Sequence, residues 1–176
     1  MTIRHQAILS WVLVVLLVSC GDSSQVSWRD LSLTMPDGWR VAENRDTVLT
    51  ITNGEVAPSP GVAGSDDVLV QFQVVNSASP DSSRQLVRDD GGVIEEDEPI
   101  ELGGAKGTRL TWVWTTNGIP TREMILIVPS RSLEILFQPV ALAGTENAPE
   151  VFAAHRDEFE AIITSLSFGA PVWVGR

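Results

Sequence analysis

The sequence predicts an α+β domain: an antiparallel sheet of about six or seven strands flanked by helices. Three observations predict it. Short runs alternate apolar and polar residues, or are rich in β-branched residues, as in 68–75 (VLVQFQVV); such runs mark strands. Asn117-Gly118 lies between two of them, and that dipeptide is a strong hairpin signal. Two stretches carry helix-start chemistry instead, one at Ser79-Pro80 and one at Asn147. Helices laid on an antiparallel sheet give a layered α+β domain.

The elements follow in order. Residues 28–34 alternate, with Trp28, Asp30 and Ser32 set against Arg29, Leu31 and Leu33. They read as one strand with Leu31 and Leu33 inward. Met35-Pro36-Asp37-Gly38-Trp39 closes it, because Pro-Asp-Gly is turn chemistry. A second strand spans 48–52 and stops at Asn53-Gly54, and 56–64 form a loop rich in Pro, Gly and Ala. A third strand covers 68–75. Ser79 reads as an N-cap, with Pro80 at the first helical position, Asp81 in the first turn and Gly91 as the stop. That places a helix over 80–90. A short strand at 99–102 ends at Gly103-Gly104, and strands at 108–115 and 121–128 flank the Asn-Gly turn. Pairing across that turn sets Thr115 opposite Pro120. It also puts Leu110, Trp112 and Trp114 on one face with Thr121, Glu123 and Ile125. Another strand follows at 133–138. Asn147 caps a final helix, with Glu150 as its capping-box partner. Phe152, His155, Phe159, Ile162, Ile163 and Leu166 recur at helical spacing. Trp39, Phe159, Ile162 and Leu166 are expected to be buried where this helix meets the sheet.

Ahead of the domain, Arg4 and His5 precede an apolar run at 7–18 broken only by Ser10. A helix crossing a hydrocarbon core of about 30 Å needs roughly 20 apolar residues, so the run fits a signal-peptide core better. Leu17-Val18-Ser19-Cys20 resembles a bacterial lipobox. The resemblance implies that 1–19 are a lipoprotein signal peptide and are removed. Cys20, the single cysteine, would then carry the lipid, palmitate included, and tether the protein to a membrane. Two or more acyl chains hold firmly where one holds marginally. The expected location is the cell envelope, outside the cytoplasm. That means the outer membrane in a two-membrane organism and otherwise the outer face of the cell membrane. Residues 20–27 read as the lipidated cysteine and a short linker, 28–168 as the domain, and 169–176 as a tail.

Charge narrows the partners. The 176 residues hold 12 basic and 23 acidic side chains, a net charge of −11; loss of Arg4 with the leader makes it −12. Such a surface argues against nucleic acid, whose binding rests on cations that displace counterions, and against anionic lipid head groups. No cofactor is expected. Gly103-Gly104-Ala105-Lys106-Gly107-Thr108 lacks the Gly-Lys-Ser/Thr order of a phosphate loop and reads as a turn. Asp89, Asp90, Glu95, Glu96, Asp97 and Glu98 form the densest charge cluster. They lack calcium-loop spacing and read as a solvated acidic loop, with a weak divalent-cation site or a docking patch as alternatives; no metal site is assigned. His155, between Phe152 and Phe159, reads as a core-edge histidine, and no G-x-S-x-G nucleophile turn occurs.

Trp112, Trp114 and Glu123 are the candidate ligand or partner contacts. Their shared face is either covered by a helix or loop, or is a partly open aromatic surface. Burying Glu123 unpaired would be costly, so its end of the face is expected to be open to water.

Two motifs resemble the PsbP-like (Mog/PsbP) fold. Pro36-Asp37-Gly38-Trp39 resembles that family's P-x-G-W opening. Phe159, Ile162, Ser165, Leu166 and Phe168 resemble its F-x-x-I-x-x-S-L-x-F ending. The resemblance spans roughly 28–168 and extends to LpqN-like lipoproteins. It implies a layered sandwich and a non-catalytic accessory or binding role, and it carries over no functional residue. The expected function is a membrane-anchored, extracytoplasmic lipoprotein that binds an envelope protein or small ligand without catalysis. The alternatives are a carrier of a small apolar ligand in a cleft by Trp112 and Trp114, and an unrecognised hydrolase.

Overall fold

The computed structural model describes residues 24–54, 67–116, 119–140 and 148–169. The signal peptide, Cys20, the 56–64 loop, Asn117-Gly118, the Asn147 cap and the tail beyond Gly169 lie outside these residues.

The 28–34 run is a hairpin rather than one strand. β1 (Gln25–Trp28) and β2 (Leu31–Thr34) pair antiparallel, with Trp28 opposite Leu31. The two-residue turn holds Arg29 at φ 57, a left-handed conformation few side chains adopt. It brings Trp28 to the buried side with Leu31 and Leu33, where plain alternation sets it outward. The buried indole donates to the Arg45 carbonyl at 2.7 Å, and the Arg29 guanidinium donates to the Asp46 carbonyl at 2.9 Å. The linker ends earlier than expected, because β1 begins at Gln25.

β3 (Arg40–Asn44) was not anticipated. It pairs with β4 (Val48–Thr52), and a bulge between Val41 and Glu43 breaks its period. β5 (Val68–Val74) leads to α1 (Pro80–Asp89), whose Ser79 cap accepts from the Ser82 N–H. β6 (Val93–Leu102) is much longer than the expected 99–102. β7 (Ala105–Thr116) and β8 (Ile119–Val128) follow, with Thr115 opposite Pro120 as expected. After a 3-10 turn at Pro129–Arg131 comes β9 (Leu133–Pro139). The final helix is broken at His155 into α2 (Ala148–Ala154) and α3 (Arg156–Ser165), and β10 (Ser167–Phe168) ends the domain.

Seven strands form one antiparallel sheet in the order β3-β4-β5-β9-β8-β7-β6, and β1-β2-β10 form a second, smaller sheet. The fold class is therefore the expected α+β layering. The large sheet is apolar on both faces. Leu49, Ile51, Val70, Phe72, Leu126, Ile135 and Phe137 project toward α2, α3 and the small sheet. Leu110, Trp112 and Ile127 project the other way, against Ala78 and Val87 beside and on α1.

The closing helix explains its own motif. Phe159 meets Phe137 and Phe152 with centroids at 5.2 Å and Trp39 at 6.3 Å; Trp39, Phe159, Ile162 and Leu166 are all buried. Ser165 Oγ accepts from the Thr34 N–H at 3.0 Å and donates to the Ile162 carbonyl at 2.8 Å, which pins α3 to β2. The Arg131 guanidinium lies 4.9 Å from the Phe168 ring centroid, within cation–π range. Gly103, at φ 50, turns β6 into β7 hard against the chain at Leu166–Ser167. Among the described residues no helix is long and apolar enough to cross a membrane.

Candidate functional site

The tryptophan face forms with the expected partners. Trp112 lies opposite Glu123, Trp114 opposite Thr121 and Leu110 opposite Ile125. Its exposure departs from expectation at one point. Trp112 is only 8% exposed, with Val87 of α1 and Ile94 of β6 in its cluster; Trp114 is half-buried. Glu123 is 8% exposed, so its end of the face is not open to water. Burial pushes its carboxyl up to about 7. The Trp114 indole N–H acts in the opposite sense, though it makes no well-formed hydrogen bond. A carboxyl that can hold its proton near neutrality escapes much of the cost of a buried charge. The three residues are brought together, but Trp112 sits under a helix.

The other face of the same strands carries a cavity of about 140 Å³. It lies where α2 and α3 cross β6, β7 and β8. Strand alternation builds one wall: β7 presents Arg109 and Thr111, and β8 presents Arg122 and Met124. β6 contributes Glu95 and Glu96 at a register shift between Ile94 and Glu96. The helices add Phe152, Arg156, Phe159 and Glu160, so Met124, Phe152 and Phe159 give the cavity an apolar side.

Each of its arginines is paired with a carboxylate. Arg109 makes a two-pronged pair with Glu160 at 2.9 and 3.0 Å through Nη1 and Nη2, and Glu98 stands 3.6 Å away. Arg122 makes a similar fork with Glu95 at 3.0 and 3.1 Å. Arg156 reaches Glu96 at 3.4 Å, and the Thr111 hydroxyl donates to the same carboxylate at 2.9 Å. The Arg109 side chain is only 12% exposed, and its Nε–H is buried without an acceptor.

Within the acidic run, Glu95, Glu96, Asp97 and Glu98 thus lie on an edge strand with arginine partners rather than in a solvated loop, while Asp89 and Asp90 stand exposed at the end of α1. Alternation sends Glu96 and Glu98 to the cavity face and Asp97 to the α1 face. There the Arg84 guanidinium pairs at 2.7 and 2.8 Å and holds the Asp97 carboxyl below its usual range. Among the described residues no group of three or more His, Cys, Asp or Glu is placed to hold a metal.

His155 sits at the core edge as expected, its Nδ1 at 2.9 Å from Glu158. The same carboxylate oxygen accepts from the Trp39 indole at 3.0 Å, so the group ties the helix break to the P-x-G-W turn. The cavity arginines are not legible in the sequence, because each one alone resembles any surface cation. One signal was available: Arg109 and Thr111, with Arg122 and Met124, alternate on the face opposite the tryptophans.

No family model matches the chain, and no curated protein does. Solved structures with a similar course include a protein from Bacteroides thetaiotaomicron (13% identity, 80% of this chain, TM-score 0.42). The chain spans 46% of that protein's length. Another is PA94 of Pseudomonas aeruginosa, a protein of unknown function (14% identity, 87% of this chain and 96% of that one, TM-score 0.45). A third is cyanobacterial PsbP from Synechocystis (12% identity, 85% of this chain and 95% of that one, TM-score 0.45). Likeness of this degree transfers no role to this chain.

Proposed function

We propose that this chain is an extracytoplasmic lipoprotein, held to its membrane by acyl chains on Cys20, that acts as a non-catalytic binding or accessory protein. The observation that carries the proposal is Leu17-Val18-Ser19-Cys20 directly after a short apolar run. The start of β1 at Gln25 supports close tethering: five fully extended residues reach only about 17 Å. The strong negative charge keeps the domain from lying flat on anionic lipid. The PsbP-like motifs agree with a role in contact rather than chemistry, and His155, committed to Glu158 beside Trp39, is spent on structure.

Intact-mass measurement of the membrane-extracted protein tests the tether. Wild type should lack residues 1–19 and carry an acyl mass increment, and Cys20→Ser should stay uncleaved or unanchored. A mature wild-type chain without that increment would overturn the proposal. Pull-down from detergent-extracted membranes then seeks the partner.

A further inference from the structure

We infer that the cavity between the α2–α3 pair and strands β6–β8 binds a small organic monocation, a primary ammonium on a short alkyl body. The inference deepens the binding role proposed above and rests on it. Size comes first. An apolar protein cavity of about 150 Å³ admits benzene. At about 140 Å³ this one suits roughly five to seven non-hydrogen atoms. Its Met124, Phe152 and Phe159 side takes the alkyl body, as the apolar lining of small-molecule sites does.

Charge selects the sign. Four carboxylates belong to the ion pairs around the cavity, those of Glu95, Glu96, Glu98 and Glu160, and three guanidiniums answer them, those of Arg109, Arg122 and Arg156. Arg109 serves two of the four: it holds Glu160 at 2.9 Å and stands 3.6 Å from Glu98. The set is one positive charge short. A monocation makes up the shortfall. An anion deepens it, and a dipolar ion leaves it as it was. The net charge of −11 also draws cations to the protein's surface. A metal ion fits less well, because hard cations need several oxygens at close range. Among the described residues no group of three or more His, Cys, Asp or Glu is placed to supply them.

The place for the ammonium is Glu96. Its carboxylate lines the cavity and accepts from the Thr111 hydroxyl at 2.9 Å, but its arginine, Arg156, stands at 3.4 Å with a side chain 60% exposed. An exposed pair of that kind is weak, so Arg156 loses little by turning to water when an ammonium takes its place. The forks of Arg109 on Glu160 and of Arg122 on Glu95 are tighter, at 2.9 to 3.1 Å, and stay closed.

Calorimetric titration of the full chain in mild detergent at neutral pH tests this. The probes are isobutylamine (an ammonium at that pH), isobutanol (the same body without charge), isobutyrate (the opposite charge) and L-valine (both charges). Isobutylamine should saturate one site, and each of the other three should bind at least about tenfold more weakly. Glu96→Gln removes the carboxylate that meets the ammonium and should weaken isobutylamine by about tenfold or more. Glu98 pairs with Arg109 but does not line the cavity. Glu98→Gln therefore removes the surplus charge alone, and it should weaken isobutylamine by about threefold. Thermal melts confirm that both variants fold. The inference is overturned if isobutylamine shows no saturable binding at millimolar concentration, if any of the other probes matches it, or if either folded variant binds it unchanged. The titration reads the cavity alone and is indifferent to acylation of Cys20, so its failure and failure of the tether are separate results.

Discussion

Glu123 should make this protein less stable as pH rises toward neutrality, opposite to the usual behaviour of a paired carboxylate. Its carboxyl moves from an ordinary 4.5 to about 7 because folding buries it on the α1 face. Between those two values the folded chain keeps a proton that the unfolded chain releases. The stability held by the neutral form is complete below 4.5 and is lost as pH rises through about 7. A difference of that size corresponds to roughly 3 kcal/mol. Glu123→Gln keeps the shape and is neutral at every pH. The amide has its own burial cost, but that cost does not vary with pH. The quantity to measure is the stability of Glu123→Gln minus that of wild type, from urea unfolding at about pH 4 and about pH 8. It should increase by roughly 3 kcal/mol across that interval. Glu134, whose carboxyl burial also raises, and Asp97, which Arg84 lowers, are common to both proteins and cancel in the difference. An unchanged difference at the two ends would show that Glu123 titrates as an ordinary surface carboxyl.

Three further outcomes are expected. Phe159→Ala removes the ring shared by Trp39, Phe137 and Phe152; it should cost about 3–5 kcal/mol in urea unfolding, and a loss below about 1 kcal/mol would place that ring outside the core. Trp112→Ala should cost about 3–5 kcal/mol because the ring lies under α1, while Trp114→Ala, half-buried, should cost clearly less by the same measurement; equal losses would contradict the covering helix. Gly103→Ala combines a left-handed φ of 50 with a new Cβ about 3.0 Å from the Ser167 backbone. It should lower stability by more than the roughly 1–2 kcal/mol of the dihedral alone, and a smaller loss would show that the turn does not press on β10.

Much of the fold was legible because it is written in local patterns. The alternation of 68–75 gives β5, Ser79-Pro80 gives the start of α1, and the Asn-Gly turn fixes the register of β7 on β8 down to Thr115 opposite Pro120. What was missed depends on distant contacts or broken periods. A bulge after Val41 scrambles the alternation of β3. The Arg29 turn is stabilised by carbonyls at 45 and 46, so residues 28–31 alone do not announce it. β6 looked like a solvated loop because four successive acids suggest water. Their arginines stand at 84, 109, 122 and 156, brought close only by the folded sheet. The cavity was hidden for the same reason.

Glu123 lies buried rather than open to water. A buried, unpaired carboxylate is indeed expensive, and two routes relieve the expense. Water can reach the group, or the group can keep its proton. An open face would follow from the first alone, and burial beneath the α1 face with a raised carboxyl points to the second. This choice separates the two faces of one hairpin. On the α1 side, a group that is neutral through part of the pH range can sit among Trp112, Leu110 and Ile127 as a filler of space. On the α2–α3 side, arginines and glutamates pair with one another. Ion pairs around an apolar floor can exchange partners. A protonated carboxyl under a helix cannot do so without dislodging the helix. Trp112 therefore serves the core under α1, Trp114 stands half-buried beside it, and the arginines of the opposite face line the cavity.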